Sequence, residues 1–213
     1  MCRNWRHYLV ITNRHLCSGD YLTQIRRVCT LKPGGLILRE KDLSHADYLE
    51  LARQVKAICD AAGVPFFIHS DLRAGAALGC GNIHMSIQTL RALRAGDGEA
   101  LHGGSFPADG AAFPEQLLSV SCHSLEEAVE ARALGADRII LGTIYETECK
   151  KGLKGRGVSF VAEVCRAISL PVYAIGGVTP ARMPELLAAG AAGGCMMSGF
   201  MQLTEDALSA LKK

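Results

Sequence analysis

His123 stands immediately before Ser124-Leu125-Glu126-Glu127, a capping serine followed by acids where the first turn of a helix favours them. An imidazole exchanges protons near neutral pH, so a histidine placed at a strand end is a natural general acid or base. His69 and His84 lie at or near the ends of two other short apolar runs. Arg39 and Lys41 follow a third, and a guanidinium can take a carboxylate through two parallel hydrogen bonds. The last two apolar runs lead into Gly176-Gly177 and into Met197-Ser198-Gly199. Glycines let the backbone approach a ligand, and N–H groups at a following helix start bind anions. Thr143 opens a long basic, glycine-rich stretch over 143–157 that carries Lys150, Lys151, Lys154 and Arg156, a candidate anion-binding lid. Together these residue types suit proton transfer on a small anionic molecule.

Eight β-rich runs must position them: 7–12, 35–39, 65–69, 82–85, 117–121, 138–141, 172–175 and 193–197. Several are continuously apolar, as strands covered on both faces are. Amphipathic stretches lie between them. Tyr48, Leu49, Leu51, Ala52, Val55, Ile58 and Cys59 recur at helical spacing, as do Leu125, Ala128, Val129 and Ala131 before a stop at Leu134-Gly135. Thr179-Pro180 predicts the start of another helix, ending at Ala189-Gly190. Eight β/α repeats in this length predict a single (β/α)8 barrel over residues 1–213, with the chemistry just past the C-terminal ends of the strands. The rival architecture, a doubly wound open sheet, loses its dinucleotide-binding form because no G-x-G-x-x-G follows the first strand. The glycine- and alanine-rich segment 95–112 reads as a long loop or insertion.

Composition narrows the function further. Of 213 residues, 49% are hydrophobic and 21% charged, which supports a sizeable core and rules out disorder. A net charge of +2 implies neither a nucleic-acid nor a membrane partner. The nine cysteines are scattered singly with no C-x-x-C, a poor disulfide framework or zinc site, and most read as small buried hydrophobes. The basic N-terminus lacks a long apolar segment, and no stretch approaches the roughly 18 apolar residues of a membrane span. A cytoplasmic protein is expected.

The residues also resemble a known superfamily along nearly the whole chain, from Tyr8-Leu9-Val10-Ile11-Thr12 to Met197-Ser198-Gly199. Leu38-Arg39-Glu40-Lys41-Asp42, the segment Cys-His-Ser-Leu-Glu-Glu-Ala at 122–128, Gly135-Ala136-Asp137, Lys150 and Pro-Val-Tyr-Ala-Ile-Gly-Gly-Val at 171–178 are similar to thiamine-phosphate synthase and its thiazole tautomerase (TenI) relative. Both are (β/α)8 barrels. The synthases hold Mg²⁺ through an Asn-Asp pair after strand three and an Asp after strand four. Here the first place reads His69-Ser70 and the second segment reads His84-Met85-Ser86-Ile87-Gln88-Thr89, so neither carboxylate is present, and hard Mg²⁺ needs charged oxygen ligands. Asp71 lies one residue off, and Ile37 replaces the glutamine expected before Leu38-Arg39.

The strand-six loop, Tyr145 onward through Arg156-Gly157, is similar instead to the tautomerase branch. That resemblance implies proton transfer on a thiazole phosphate carboxylate in thiamine biosynthesis, with no cofactor and no metal. His123 is then the catalytic acid/base. Arg39, Lys41, His69, Thr143 and Lys150 are substrate-binding, and Gly176, Gly177, Met197 and Ser198 are phosphate-binding. The alternatives are a thiamine-phosphate synthase, a transferase that would use Mg²⁺, and a non-catalytic thiazole-phosphate-binding regulator. The partner in each case is a small phosphorylated thiazole. Small barrels of this superfamily are often dimers, so the resemblance allows a homodimer.

Overall fold

The computed structural model describes residues 4–96, 117–147 and 154–212. Its strands are β1 (Tyr8–Ile11), β2 (Gly35–Leu38), β3 (Phe66–His69), β4 (Ile83–Ser86), β5 (Leu118–Cys122), β6 (Arg138–Gly142), β7 (Val172–Ile175) and β8 (Gly193–Met196). They pair in parallel in chain order and close, β8 against β1, into an eight-stranded barrel. The predicted (β/α)8 architecture is therefore present, with strand bounds shifted by a residue or two.

Alternation along each strand explains why both faces are apolar. Val10, Leu36, Leu38, Ile68, Met85, Val120, Leu141 and Ala174 belong to the core shared with the helices. Leu9, Ile11, Ile37, Phe67, Ile140 and Cys195 fill the barrel interior. Near the N-terminal ends of the strands, the guanidinium of Arg138 lies 4.2 Å from the Phe67 ring centroid and 5.6 Å from that of Tyr173. Arg138 is buried, and desolvation lowers its pKa from the ordinary value.

The helices are α1 (Tyr21–Cys29), α2 (His45–Ala62), α3 (Leu72–Ala77), α4 (Ile87–Arg94), α5 (Leu125–Ala133), α6 (Gly157–Ala167), α7 (Met183–Ala188), α8 (Ser198–Met201) and α9 (Glu205–Lys212). Ser44 caps α2 by accepting the Asp47 N–H, and the predicted α5 opens as expected on Ser124. One prediction needs correction. The helix expected from Thr179-Pro180 begins at Met183, because Thr179 O accepts the Arg182 N–H and residues 180–182 form a turn. Pro184, not Pro180, occupies the first helical turn. Most of the segment 95–112 lies outside the described residues. Among the described residues no helix is long and apolar enough to cross a membrane.

Candidate active site

His123 is the first residue past β5, and local bonds hold its backbone. The Glu127 carboxylate accepts the His123 N–H at 2.6 Å, while Ser124 Oγ accepts the Glu127 N–H at 3.1 Å. The side chain is exposed, with Nδ1 2.8 Å from the carbonyl oxygen of Gly142. A carbonyl only accepts, so Nδ1 carries the proton of the neutral ring and Nε2 presents its lone pair. Arg156 Nη1 donates to His123 O at 2.5 Å, and its guanidinium lies 3.7 Å from the Phe160 ring centroid. The Arg156 N–H also bonds Thr143 O at 3.1 Å, folding the end of the basic stretch back onto the end of β6. Arg156 thus braces His123. Lys154 is exposed, whereas Lys150 and Lys151 lie outside the described residues.

The ends of β2 and β3 supply a second set of groups. Leu38 pairs with Ile68, so Arg39 and His69 come next in register. Burial, then the charges of Arg39 and Lys41, push the His69 imidazole down to about 4, so it is neutral at pH 7. Lys41 is lowered by partial burial and by Arg39. These shifts place Arg39, Lys41 and His69 in one electrostatic neighbourhood, the arrangement an anion would relieve. His84, expected at the same rim, instead sits deeper in the barrel. Its Nδ1 is 3.0 Å from Ser119 Oγ and its Nε2 2.9 Å from Ser121 Oγ, with its ring 5.7 Å from that of His69. Both nitrogens are satisfied, and burial drives its pKa well below the usual value.

Asp71 turns away from this set. Ser70 adopts φ +60°, and the Asp71 N–H bonds back to His69 O at 2.8 Å. One Asp71 carboxylate oxygen accepts the Ala74 N–H at 2.9 Å and caps α3; the other lies 2.7 Å from His45 Nδ1. Ser86 Oγ in turn caps α4 through the Thr89 N–H. The groups left at the ends of β3 and β4 are an imidazole and hydroxyls, a donor set that does not suit Mg²⁺. Among the described residues no cluster of three or more His, Cys, Asp or Glu is arranged to hold a metal ion.

The ends of β7 and β8 differ in character. Gly176 and Gly177 have φ of +98° and +63°. A Cβ at Gly177 would fall 2.7 Å from Tyr145 Cβ and 2.9 Å from Glu146 O, so the turn packs tightly on the segment after β6. Thr143 belongs to the same contact, for a Cβ at Gly176 would meet its Cγ2. Side chains cap α1 to α5, from Asp20, Ser44, Asp71, Ser86 and Ser124. No side chain caps α6, α7 or α8, all of which start on this side of the barrel. Because α7 starts at Met183, the N–H groups near Gly176 and Gly177 are those of the turn itself, not of a helix start. In α8, which follows Met197, the Phe200 and Met201 N–H groups bond Met197 O at 3.1 and 2.9 Å, and those of Ser198 and Gly199 precede the first intrahelical bond.

Sequence reasoning missed Arg182. Its Nη1 donates to Gly177 O at 2.7 Å and its guanidinium lies 4.2 Å from the Tyr145 ring centroid, while Tyr145 Oη donates to Glu185 at 2.6 Å. The available signal was a cation five residues beyond the glycine pair. It also missed Thr12, Glu40 and Tyr48, buried polar groups beside Arg39 and His69.

The chain is similar to known proteins. The thiamine-phosphate synthase 2 of Streptococcus pneumoniae is 32% identical over 198 residues, covering 92% of this chain and 88% of that protein. The thiamine-phosphate synthase of Bacillus licheniformis is 33% identical over 195 residues, covering 88% and 80%. A solved structure of thiamine phosphate pyrophosphorylase from Pyrococcus furiosus aligns over 98% of this chain and 93% of that one. Its TM-score is 0.75 at 21% identity, a likeness of fold. The family model described as thiamine monophosphate synthase (TMP-TENI) matches residues 8–200, and the chain belongs to that family.

Proposed function

We propose that this protein moves a proton on a thiazole phosphate carboxylate, as a tautomerase of the thiamine biosynthetic family. The observation that carries this reading is the pairing of His123 Nδ1 with Gly142 O, which leaves Nε2 as an exposed proton acceptor. Nε2 takes a proton from one position of the non-aromatic ring and returns it to another, so the ring becomes aromatic and no atom is gained or lost. Arg39 and Lys41 orient the carboxylate, with the neutral His69 beside them. The N–H groups of the Gly176-Gly177 turn and of Met197-Ser198 hold the phosphate, a role supported by the positive φ of both glycines and by the α8 start left without a side-chain cap. Thr143 lines the approach beneath the glycine turn. Lys150 is given a role over the phosphate on resemblance alone.

No metal enters this reaction, in keeping with the imidazole and hydroxyl donors at the ends of β3 and β4 and with the engaged carboxylate of Asp71. The free thiols at Cys17, Cys29, Cys59, Cys80, Cys122, Cys165 and Cys195 suit the reducing cytoplasm.

A second reading has support of its own, because the relatives above are named thiamine-phosphate synthases. It is a transferase joining a pyrimidine methyl diphosphate to thiazole phosphate. One assay separates the two: the protein with excess chelator and the non-aromatic thiazole phosphate carboxylate, followed by absorbance and proton NMR. Chelator-resistant aromatisation is the expected result. Product formation only with added Mg²⁺ and the pyrimidine diphosphate would establish the transferase instead. Binding without turnover of either would leave a binding protein.

A further inference from the structure

Two buried hydroxyls sit at the ends of β1, β2 and β3. Thr12 follows β1 and is fully buried; its Oγ1 accepts the Arg39 N–H at 2.9 Å. Tyr48, near the start of α2 and 5% exposed, donates its hydroxyl to Leu38 O at 2.8 Å. The C=O of Leu38 and the N–H of Arg39 belong to one peptide unit, which is therefore held at both ends by side chains from different elements. The Tyr48 oxygen also accepts the His69 N–H at 3.0 Å. One tyrosine thus ties together the two peptide units from which the Arg39 and His69 side chains depart.

The polarity of each bond is set by its surroundings. Thr12 donates its only hydroxyl proton to Glu40 at 2.7 Å, so its oxygen is an acceptor toward Arg39. Glu40, 4% exposed, is held by the Arg14 N–H at 3.1 Å, by Arg14 Nη1 at 3.3 Å and by Tyr21 Oη at 3.3 Å. Burial raises the Tyr48 phenol above its ordinary value, which keeps its proton in place for Leu38. Glu40 lies between Arg39 and Lys41 in sequence and is anchored toward β1 and α1.

We infer that Thr12 and Tyr48 are positioning residues that set the spacing of Arg39 and His69 and so confer preference for a carboxylate on the substrate. The inference rests on the reading that Arg39, with Lys41 and with His69 beside it, receives that carboxylate. Its test compares dissociation constants for two ligands, thiazole phosphate with the carboxylate and thiazole phosphate without it. The proteins are the wild type, Tyr48→Phe and Thr12→Val. The wild type prefers the carboxylated ligand. Each variant loses about tenfold of that preference while its affinity for the carboxylate-free ligand stays within twofold. General damage to the barrel would lower both affinities together, and an equal fall for both ligands overturns the inference. So does an intact preference in both variants. Thr12→Val is nearly isosteric and decides the matter where Tyr48→Phe folds poorly. A wild type with no preference removes the carboxylate reading itself, and the inference with it, a result distinct from a preference that survives the substitutions.

Discussion

Nδ1 of His123 lies 2.8 Å from the carbonyl oxygen of Gly142, the last residue of the neighbouring strand. The bond fixes one tautomer and aims the reactive nitrogen outward. General acid–base work by a placed side chain contributes about 10²–10⁴-fold in rate. His123→Ala should therefore lower kcat by that order while ligand affinity, read by calorimetry, stays close to wild type. Turnover near the wild-type rate would remove His123 from the chemistry.

The strand-seven turn allows no side chain. Gly177 has φ +63°, and a Cβ there would press on Tyr145 and Glu146. Gly177→Ala should cost more than about 1 kcal/mol and displace the turn. A raised KM for phosphorylated substrate, with competition by inorganic phosphate weakened in parallel, is the expected signature.

Acid should weaken the fold through His69. Its pKa in the folded protein is about 4, below the unfolded value near 6.5. The unfolded chain then binds more protons between those values, so stability falls as pH drops from 6.5 toward 4 and is level above 6.5. His84, lowered in the same direction, adds to the slope. One such group contributes at most about 1.4 kcal/mol per pH unit. Urea midpoints from pH 7.5 to 4.5 should show the decline, and His69→Gln should flatten it.

Asp71 is a structural link. Asp71→Ala removes the α3 cap and the contact with His45, at a cost of about 0.5–2 kcal/mol in urea unfolding. Neither Mg²⁺ nor chelator should move the midpoint of wild type or variant. A Mg²⁺-dependent shift lost in the variant would make Asp71 a ligand.

Inside the barrel, Phe67 is 1% exposed and lies against the Arg138 guanidinium. Phe67→Ala should cost about 3–5 kcal/mol, because the rigid strands around it cannot collapse into the space. Chemical denaturation would read this as a lower midpoint at unchanged slope.

The barrel was legible because its strands are short runs covered on both faces, which leaves continuous apolar segments such as 8–11 in plain view. His123 was legible because a strand end, a cap and acids in the first turn converge on one position. Helix α7 was misplaced because Pro180 suits a turn as well as a helix start, and only the Thr179–Arg182 bond decides between them. His84 looked like a rim residue because one strand position separates rim from interior, and its serine partners come from β5, 35 and 37 residues away. Thr12, Glu40 and Tyr48 lie inside recognisable patterns, yet nothing in those patterns assigns them to the site. Their roles arise from contacts across three elements, which no local spacing records.

The packed interior of the barrel, with Arg138 lodged between Phe67 and Tyr173, has a kinetic corollary. Among the described residues the cylinder is a blind vessel, stoppered at its base. Whatever enters past Arg39 and His123 must depart by the same route. Reactant and spent molecule therefore contend for a single doorway, and accumulated product should act as a competitive brake on its own formation.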